Sequence, residues 1–145
     1  MTDAPRIERI AYRDGYRYQL AEWYAVDVRL TPAAPIATHW LALDMQGVLT
    51  IAEGYAWDGA SGPAIDSPCF MRGSLIHDAL YQLIREGHLP IACRAHADRL
   101  LREMCREDGM SAIRAWWVYQ GVRRFGGAAV EHGKPVKYAP RQTTP

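Results

Sequence analysis

His77 and Asp78 stand side by side in "HDALY", which begins fourteen residues after the end of the Gly-rich stretch "GYAWDGASGP" that carries Asp58. A histidine held by a carboxylate through one ring nitrogen presents its other nitrogen as a general base, with its tautomer fixed and its pKa raised. Asp98, in "AHADRLL", is the carboxylate placed to do this: it lies one position from Ala97 and three from Leu101, so it flanks an apolar stripe and looks across toward the helix of His77. Arg72 and a helix terminus are the other partners open to it. Water is the nucleophile such a base activates. Hydrolysis of an ester also needs its oxyanion stabilised, and a calcium ion held by oxygen ligands does that as a Lewis acid. Asp58 offers a carboxylate, the neighbouring glycines leave backbone carbonyls free to turn inward, and Asp78 completes the shell. The expected site is therefore His77 as base, Asp98 as its orienting partner, and Asp58 and Asp78 as calcium ligands.

Each of these residues also has a plainer use. An adjacent His-Asp pair on a helix serves as a structural hydrogen-bond device, and Asp-Gly is good turn chemistry. Tyr81 is expected to pack its ring and bond its hydroxyl. Ser61 lacks the strand-turn-helix context that exposes a nucleophilic serine. The order His39, His77-Asp78, then Asp98 or Asp108 mimics the H…HD…D pattern of metal-dependent phosphohydrolases, but His39 lies in a strand-like segment and that fold is wholly helical. His88 and His96 flank a loop and a helix start, where histidine ordinarily faces solvent.

The elements that must position these groups are legible in the pattern. Residues 6–57 carry strand chemistry: in "YRYQLAEWYAVDVRL", Tyr24, Val26 and Val28 alternate with Ala25, Asp27 and Arg29. "RDG" at 13–15 signals a turn, "TPAAP" at 31–35 a break, and "HWLALDMQGVLTI" a strand, a turn near Gln46 and Gly47, and a returning strand. From residue 67 the period becomes helical. Ile76, Leu80, Leu83 and Ile84 predict a helix over 68–86, and Ala97, Leu100, Leu101, Met104 and Cys105 another over 92–107. Ser111 caps a third, with Ile113, Trp117 and Gly121 on one stripe meant for a close neighbour, stopped by Gly126-Gly127. Of Trp116, Trp117 and Tyr119, part is expected in the core and one ring is left for a partner. The expectation is an α+β fold, an antiparallel sheet of about four strands packed on three helices. Residues 1–127 form one domain (6–57 strand-rich, 58–127 loop and helices), and the tail over 128–145 is loosely ordered.

Composition narrows the classes. The 145 residues contain 49% apolar and 23% charged side chains, which suits a packed core. Seventeen basic and sixteen acidic side chains leave a net charge of +1, so no general pull toward nucleic acid is expected. The opening residues show no apolar signal-peptide region, and no run of 18 apolar residues occurs, so synthesis in a cytoplasm without a transmembrane segment is expected. Cys69, Cys93 and Cys105 lack metal-ligand spacing and are expected as buried free thiols.

The succession "GYAWDGASGP", "LIHDALYQLI", "AHADRLLREM" and "VYQGVRRFGG" over roughly residues 50–127 resembles the phage- and prophage-encoded group called domain of unknown function 1353. That resemblance implies a virus-derived accessory protein, for instance a component of the virion, tail or lysis module, whose partners are other virion or tail proteins. A more distant likeness is to secreted, calcium-dependent phospholipases of the A-two type, in their short bacterial and fungal forms. It implies His77 as base, Asp98 as its partner, Tyr81 as support, Asp58 and Asp78 as calcium ligands, and a lipid or other ester as substrate. The disulfide common in those enzymes has no counterpart here, and the lack of a leader fits release by lysis or delivery inside a particle.

Overall fold

The computed structural model describes residues 10–12, 17–59, 67–132 and 137–139. Seven short strands come first: β1 (Ile10–Tyr12), β2 (Tyr18–Gln19), β3 (Tyr24–Asp27), β4 (Ile36–Ala37), β5 (Leu41–Leu43), β6 (Val48–Ile51) and β7 (Ala56–Trp57). Four helices follow, α1 (Pro68–Arg85), α2 (Cys93–Glu107), α3 (Ala112–Phe125) and α4 (Gly127–His132), and then β8 (Lys137–Ala139). An antiparallel sheet in the order β3-β6-β5-β4 is accompanied by two antiparallel pairs, β2-β7 and β1-β8. The fold is α+β, as the change of period from two to 3.6 implies.

Register follows the alternation. Val26 pairs with Leu49 and Leu43 also pairs with Leu49, while Tyr24 and Leu41 both meet Ile51. Leu41, Leu43, Leu49 and Ile51 are thereby set on one face and fully buried, whereas Ala25, Asp27 and Arg29 face solvent. The β5–β6 turn closes on Asp44, whose Oδ1 accepts from Gln46 N at 3.0 Å and Val48 N at 2.9 Å; Gly47 supplies the positive φ of 94° that the turn needs. The turn expected at 13–15 lies outside the described residues.

Pro68 opens α1 at its first turn, where its missing N–H removes no helical bond. The Ser111 hydroxyl caps α3 by accepting from Arg114 N at 3.3 Å. Gly126 ends α3 as expected, but Gly127 begins a fourth helix in a segment with no apolar period. Tertiary contacts hold α4: Val130 is buried in the main core, and Arg85 Nη1 donates to Ala129 O at 3.0 Å.

The main core lies between the four-stranded sheet and the α1–α2 pair, joining Leu41, Leu49 and Ile51 to Ile76, Leu80, Leu83, Ala97 and Leu100. A smaller one, built on Phe70, Leu101, Cys105, Met110 and Ala115, receives α3. Burial pushes the Cys105 thiol up to about 12, so it is an inert core group. Cys69 and Cys93, expected to be buried, are only half-buried; all three are free thiols. The orientation of α3 corrects the sequence expectation. The face it buries carries Ala115 with Val118 and Val122, while Ile113 and Trp117 point to solvent and Gly121 meets nothing within 4 Å. Two valines and an alanine let α3 approach α2 more closely than the large rings would. Trp116, Trp117 and Tyr119 all remain outside the buried core.

The close approach of α1 and α2 runs through Gly73, where an added Cβ would lie 3.1 Å from Cys105 Sγ and from Leu101 Cδ1. Gly73→Val is therefore expected to cost about 1–3 kcal/mol, whereas Gly121→Ala, with open space around it, is expected to stabilise α3 by up to about 1 kcal/mol. Urea unfolding of the two variants checks this, and equal midpoints would contradict the packing described.

Candidate functional site

The loop residues that precede α1 are pinned by aromatic anchors. Gly54 has a φ of 90° and packs under Trp40, which turns Tyr55 and Trp57 into the core. Tyr55 OH donates to Gln82 Oε1 at 2.9 Å and Trp57 Nε1 to Ser74 Oγ at 3.2 Å, so the chain leading to Asp58 is fastened to α1 at two points. Asp58 Oδ1 accepts from Arg17 N at 3.2 Å, and Gly59 after it again has a positive φ of 74°. The positive φ of Gly59 suits the Asp-Gly turn expected there, but Ser61 and the remainder of the Gly-rich stretch that would complete it lie outside the described residues.

Midway along α1, His77 and Tyr81 stand four residues apart on one helix face, with ring centroids 4.0 Å apart. Both point at Asp98 on α2, which is completely buried. His77 Nε2 donates to Asp98 Oδ1 at 2.7 Å, and Tyr81 OH donates to the same oxygen. The other oxygen, Oδ2, accepts from Arg123 Nη1 of α3 at 2.8 Å, with Arg94 Nε at 4.0 Å. Arg94 also donates from Nε to Tyr81 OH at 3.2 Å, and from Nη2 to the carbonyls of Val122 and Arg123 at 2.7 and 2.8 Å. Three helices thus converge on one carboxylate, and every buried side-chain nitrogen or oxygen among the described residues has a partner.

The electrostatics follow from these contacts. Burial alone would raise the Asp98 pKa, but donors from His77, Tyr81 and Arg123 more than offset it and hold the group below 3.8. Burial pulls His77 down, and the carboxylates of Asp78 and Asp98 outweigh it, leaving the imidazole above 6.5. Tyr81 is raised by burial and by the adjacent carboxylate, so its hydroxyl stays a donor. With Nε2 committed to Asp98, Nδ1 is the ring atom left for chemistry. It faces Asp78 Oδ1 at 3.8 Å, beyond hydrogen-bonding distance, and the Asp78 side chain is about a third exposed (32%).

Of the five residues singled out in the sequence, His77, Asp98 and Tyr81 are in direct contact and Asp78 borders them. Among the described residues, no group of three His, Cys, Asp or Glu side chains is gathered as a metal cage. Arg72, the alternative partner for Asp98, is instead bound to Asp108, Glu107 and Tyr24. His96, expected at the surface, donates from Nε2 to Val28 O at 2.7 Å and so ties α2 to the end of β3. His39 lies in a bend outside any strand, far in kind from a helical metal site.

The two arginines were missed by sequence reasoning. Arg123 suits a helix C-terminus, and only the tertiary fold aims it at Asp98. Arg94 carried a readable signal, its i,i+4 spacing to Asp98 on one helix. Behind them a cavity of about 330 Å³ is lined by Ile91, Arg94, Arg123, Val130 and Glu131 among others, on the guanidinium side of the network.

Fold and site together define an α+β protein built around a buried His-Asp-Tyr-Arg network. Residues 36–122 match the family described as Protein of unknown function (DUF1353), and the chain belongs to that family. No curated protein and no solved structure matches the chain.

Removing the central charge strands its partners, so Asp98→Asn is expected to cost about 3–5 kcal/mol, read by urea unfolding in metal-free buffer. A pH series separates the ion pair from simple packing. Asp98, depressed in the fold, contributes stability above about 3.8 that is lost as pH falls through its folded value; His77, raised, contributes in full below about 6.5 and less as pH rises through its folded value. The gap in melting temperature between wild type and His77→Gln is expected to be widest between these values and to narrow toward pH 9. A gap that stays constant would show that the charge on His77 plays no part.

Proposed function

We propose that the protein is an ester hydrolase in which His77 is the general base and Asp98 its positioning residue. The observation that carries this reading is the division of labour on the imidazole: Nε2 is locked to Asp98 at 2.7 Å, which leaves Nδ1 directed to the partly exposed edge at Asp78. A buried carboxylate with all its oxygens satisfied suits an orienting role, since it fixes the tautomer and stabilises the imidazolium without taking a proton itself. Tyr81, Arg94 and Arg123 keep that carboxylate ionised and immobile.

In the proposed reaction, Nδ1 of His77 takes a proton from water as the oxygen attacks the ester carbonyl. The same nitrogen then returns the proton to the departing alkoxide, giving an acid and an alcohol. Asp78 and Asp58 are the carboxylates that would hold calcium in this reading, and backbone carbonyls and water would have to complete the shell. Bound there, calcium would polarise the ester carbonyl. A phospholipid is the substrate class proposed, on the likeness of "WDGAS" and "HDALY" to calcium-dependent phospholipases. Membership of the DUF1353 family is what supports proposing a phage- or prophage-derived setting, with the protein released by lysis or carried with virion or tail proteins.

The competing reading is a structural brace, favoured by the number of partners that Asp98 collects. Hydrolysis of phospholipid and of a soluble short-chain ester, assayed with calcium and with EDTA, decides between them. Activity that requires calcium, falls at least about a hundredfold in His77→Gln and is lost in Asp78→Asn supports the enzyme. No turnover with a folded wild type, together with unaltered folding of Asp78→Asn in calcium, would leave the brace.

A further inference from the structure

The solvent face of α3 has a composition that its packing does not require. Ile113, Trp117, Gly121 and Phe125 recur every four residues along one line, and Trp116 adjoins it with its ring 5.0 Å from that of Trp117. Ile113, Trp117 and Phe125 are 74%, 65% and 76% exposed, and Trp116 is 42% exposed. Single exposed apolar residues are ordinary, but Ile113, Trp116 and Trp117 fall within an arc of about 100° on one face of a 14-residue helix, a patch that water solvates poorly, with Phe125 exposed farther round at its C-terminal end. The helix holds three arginines, Arg114, Arg123 and Arg124, and no acidic residue. Arg123 is engaged by Asp98, and Arg124 is exposed beside the apolar line.

We propose that this face of α3 is an interfacial binding surface for an anionic lipid bilayer. Tryptophan is suited to the boundary between headgroups and acyl chains, where its ring is apolar and its N–H stays wet, and arginine beside it meets lipid phosphate. The convex shape of a single helix face suits a soft interface that admits protruding rings. Charge disfavours a second copy: two such faces packed about a twofold axis would bring arginines together with no acidic side chain on either helix. Charge also disfavours nucleic acid, which needs many phosphate contacts from a chain whose net charge is +1. The surface shares its lipid chemistry with the proposed substrate but depends on no catalytic step, and it stands even if His77 is only a brace.

The test is co-sedimentation of the full chain, in EDTA to prevent calcium-supported turnover, with vesicles of phosphatidylcholine alone or mixed with phosphatidylserine. Trp116→Ala/Trp117→Ala and Arg124→Glu are compared with wild type, their folding checked by circular dichroism. Wild type is expected to pellet with the anionic vesicles and much less with neutral ones. The double tryptophan variant should lose at least about tenfold in partitioning, and Arg124→Glu about tenfold on anionic vesicles only. Wild type that stays in the supernatant with both vesicle types overturns the proposal. So does unchanged binding by the tryptophan variant, or dimerisation through these residues without vesicle binding. Hydrolysis of a soluble ester without vesicle binding would sink this proposal while leaving the enzyme reading intact. Vesicle binding without any hydrolysis would do the reverse.

Discussion

A carboxylate with no exposure to water cannot remain ionised without close donors, and Asp98 on α2 obtains them from two other helices. His77 and Tyr81 come from α1 and Arg123 from α3, while Arg94, one turn back on α2, bonds to Tyr81 and the end of α3. The same contacts that satisfy the charge therefore set the angles and distances of the helices. An apolar residue at this position would fill the space, but it would leave the His77 imidazole, the Tyr81 hydroxyl and the Arg123 guanidinium without the acceptor they share. Buried networks of this kind specify one arrangement because every alternative leaves a donor or acceptor unpaired.

The packing around the network serves the same geometry. Gly73 lets α1 and α2 approach, which brings His77 to hydrogen-bonding distance of Asp98. Gly126 performs the equivalent task for α3: an added Cβ would fall 2.6 Å from the Tyr81 hydroxyl, a position no side chain can share. The sheet contributes from the other side, with Leu41, Leu49 and Ile51 packed under α1 and His96 bonded to the Val28 carbonyl. A rigid scaffold of this kind is what the proposed base would require, and it leaves the Nδ1 edge of His77 and the carboxylate of Asp78 as the part of the site that Asp98 does not fix.

Charge in the helical half is distributed by function. Arg72 is held by Asp108 and Glu107, whose carboxylates, with the Tyr24 hydroxyl, raise its pKa, and it fastens the start of α1 to the end of α2. Arg94 and Arg123 point inward, while Arg124 and the tryptophans of α3 point outward. Among the described residues no helix is long and apolar enough to cross a membrane. An apolar face on α3 is therefore a surface feature rather than a span.

Sequence periodicity by itself determined the α+β class, the three main helices nearly to the residue, and the pairing of β5 with β6, because alternation and 3.6-residue spacing are local properties. It also marked His77, Tyr81 and Asp98, since spacing of four residues on one helix and a carboxylate beside an apolar stripe can be read without coordinates. Which face of α3 is buried was not legible, because both faces carry apolar residues and only the width of the gap beside α2 selects Ala115, Val118 and Val122 over the tryptophans. The fourth helix was hidden for a related reason: Val130 is its single buried apolar anchor, too little to make a period. The choice of Arg123 and not Arg72 as the counter-charge of Asp98 rests on contacts 25 residues apart, a separation at which chain distance says nothing and only the folded geometry decides.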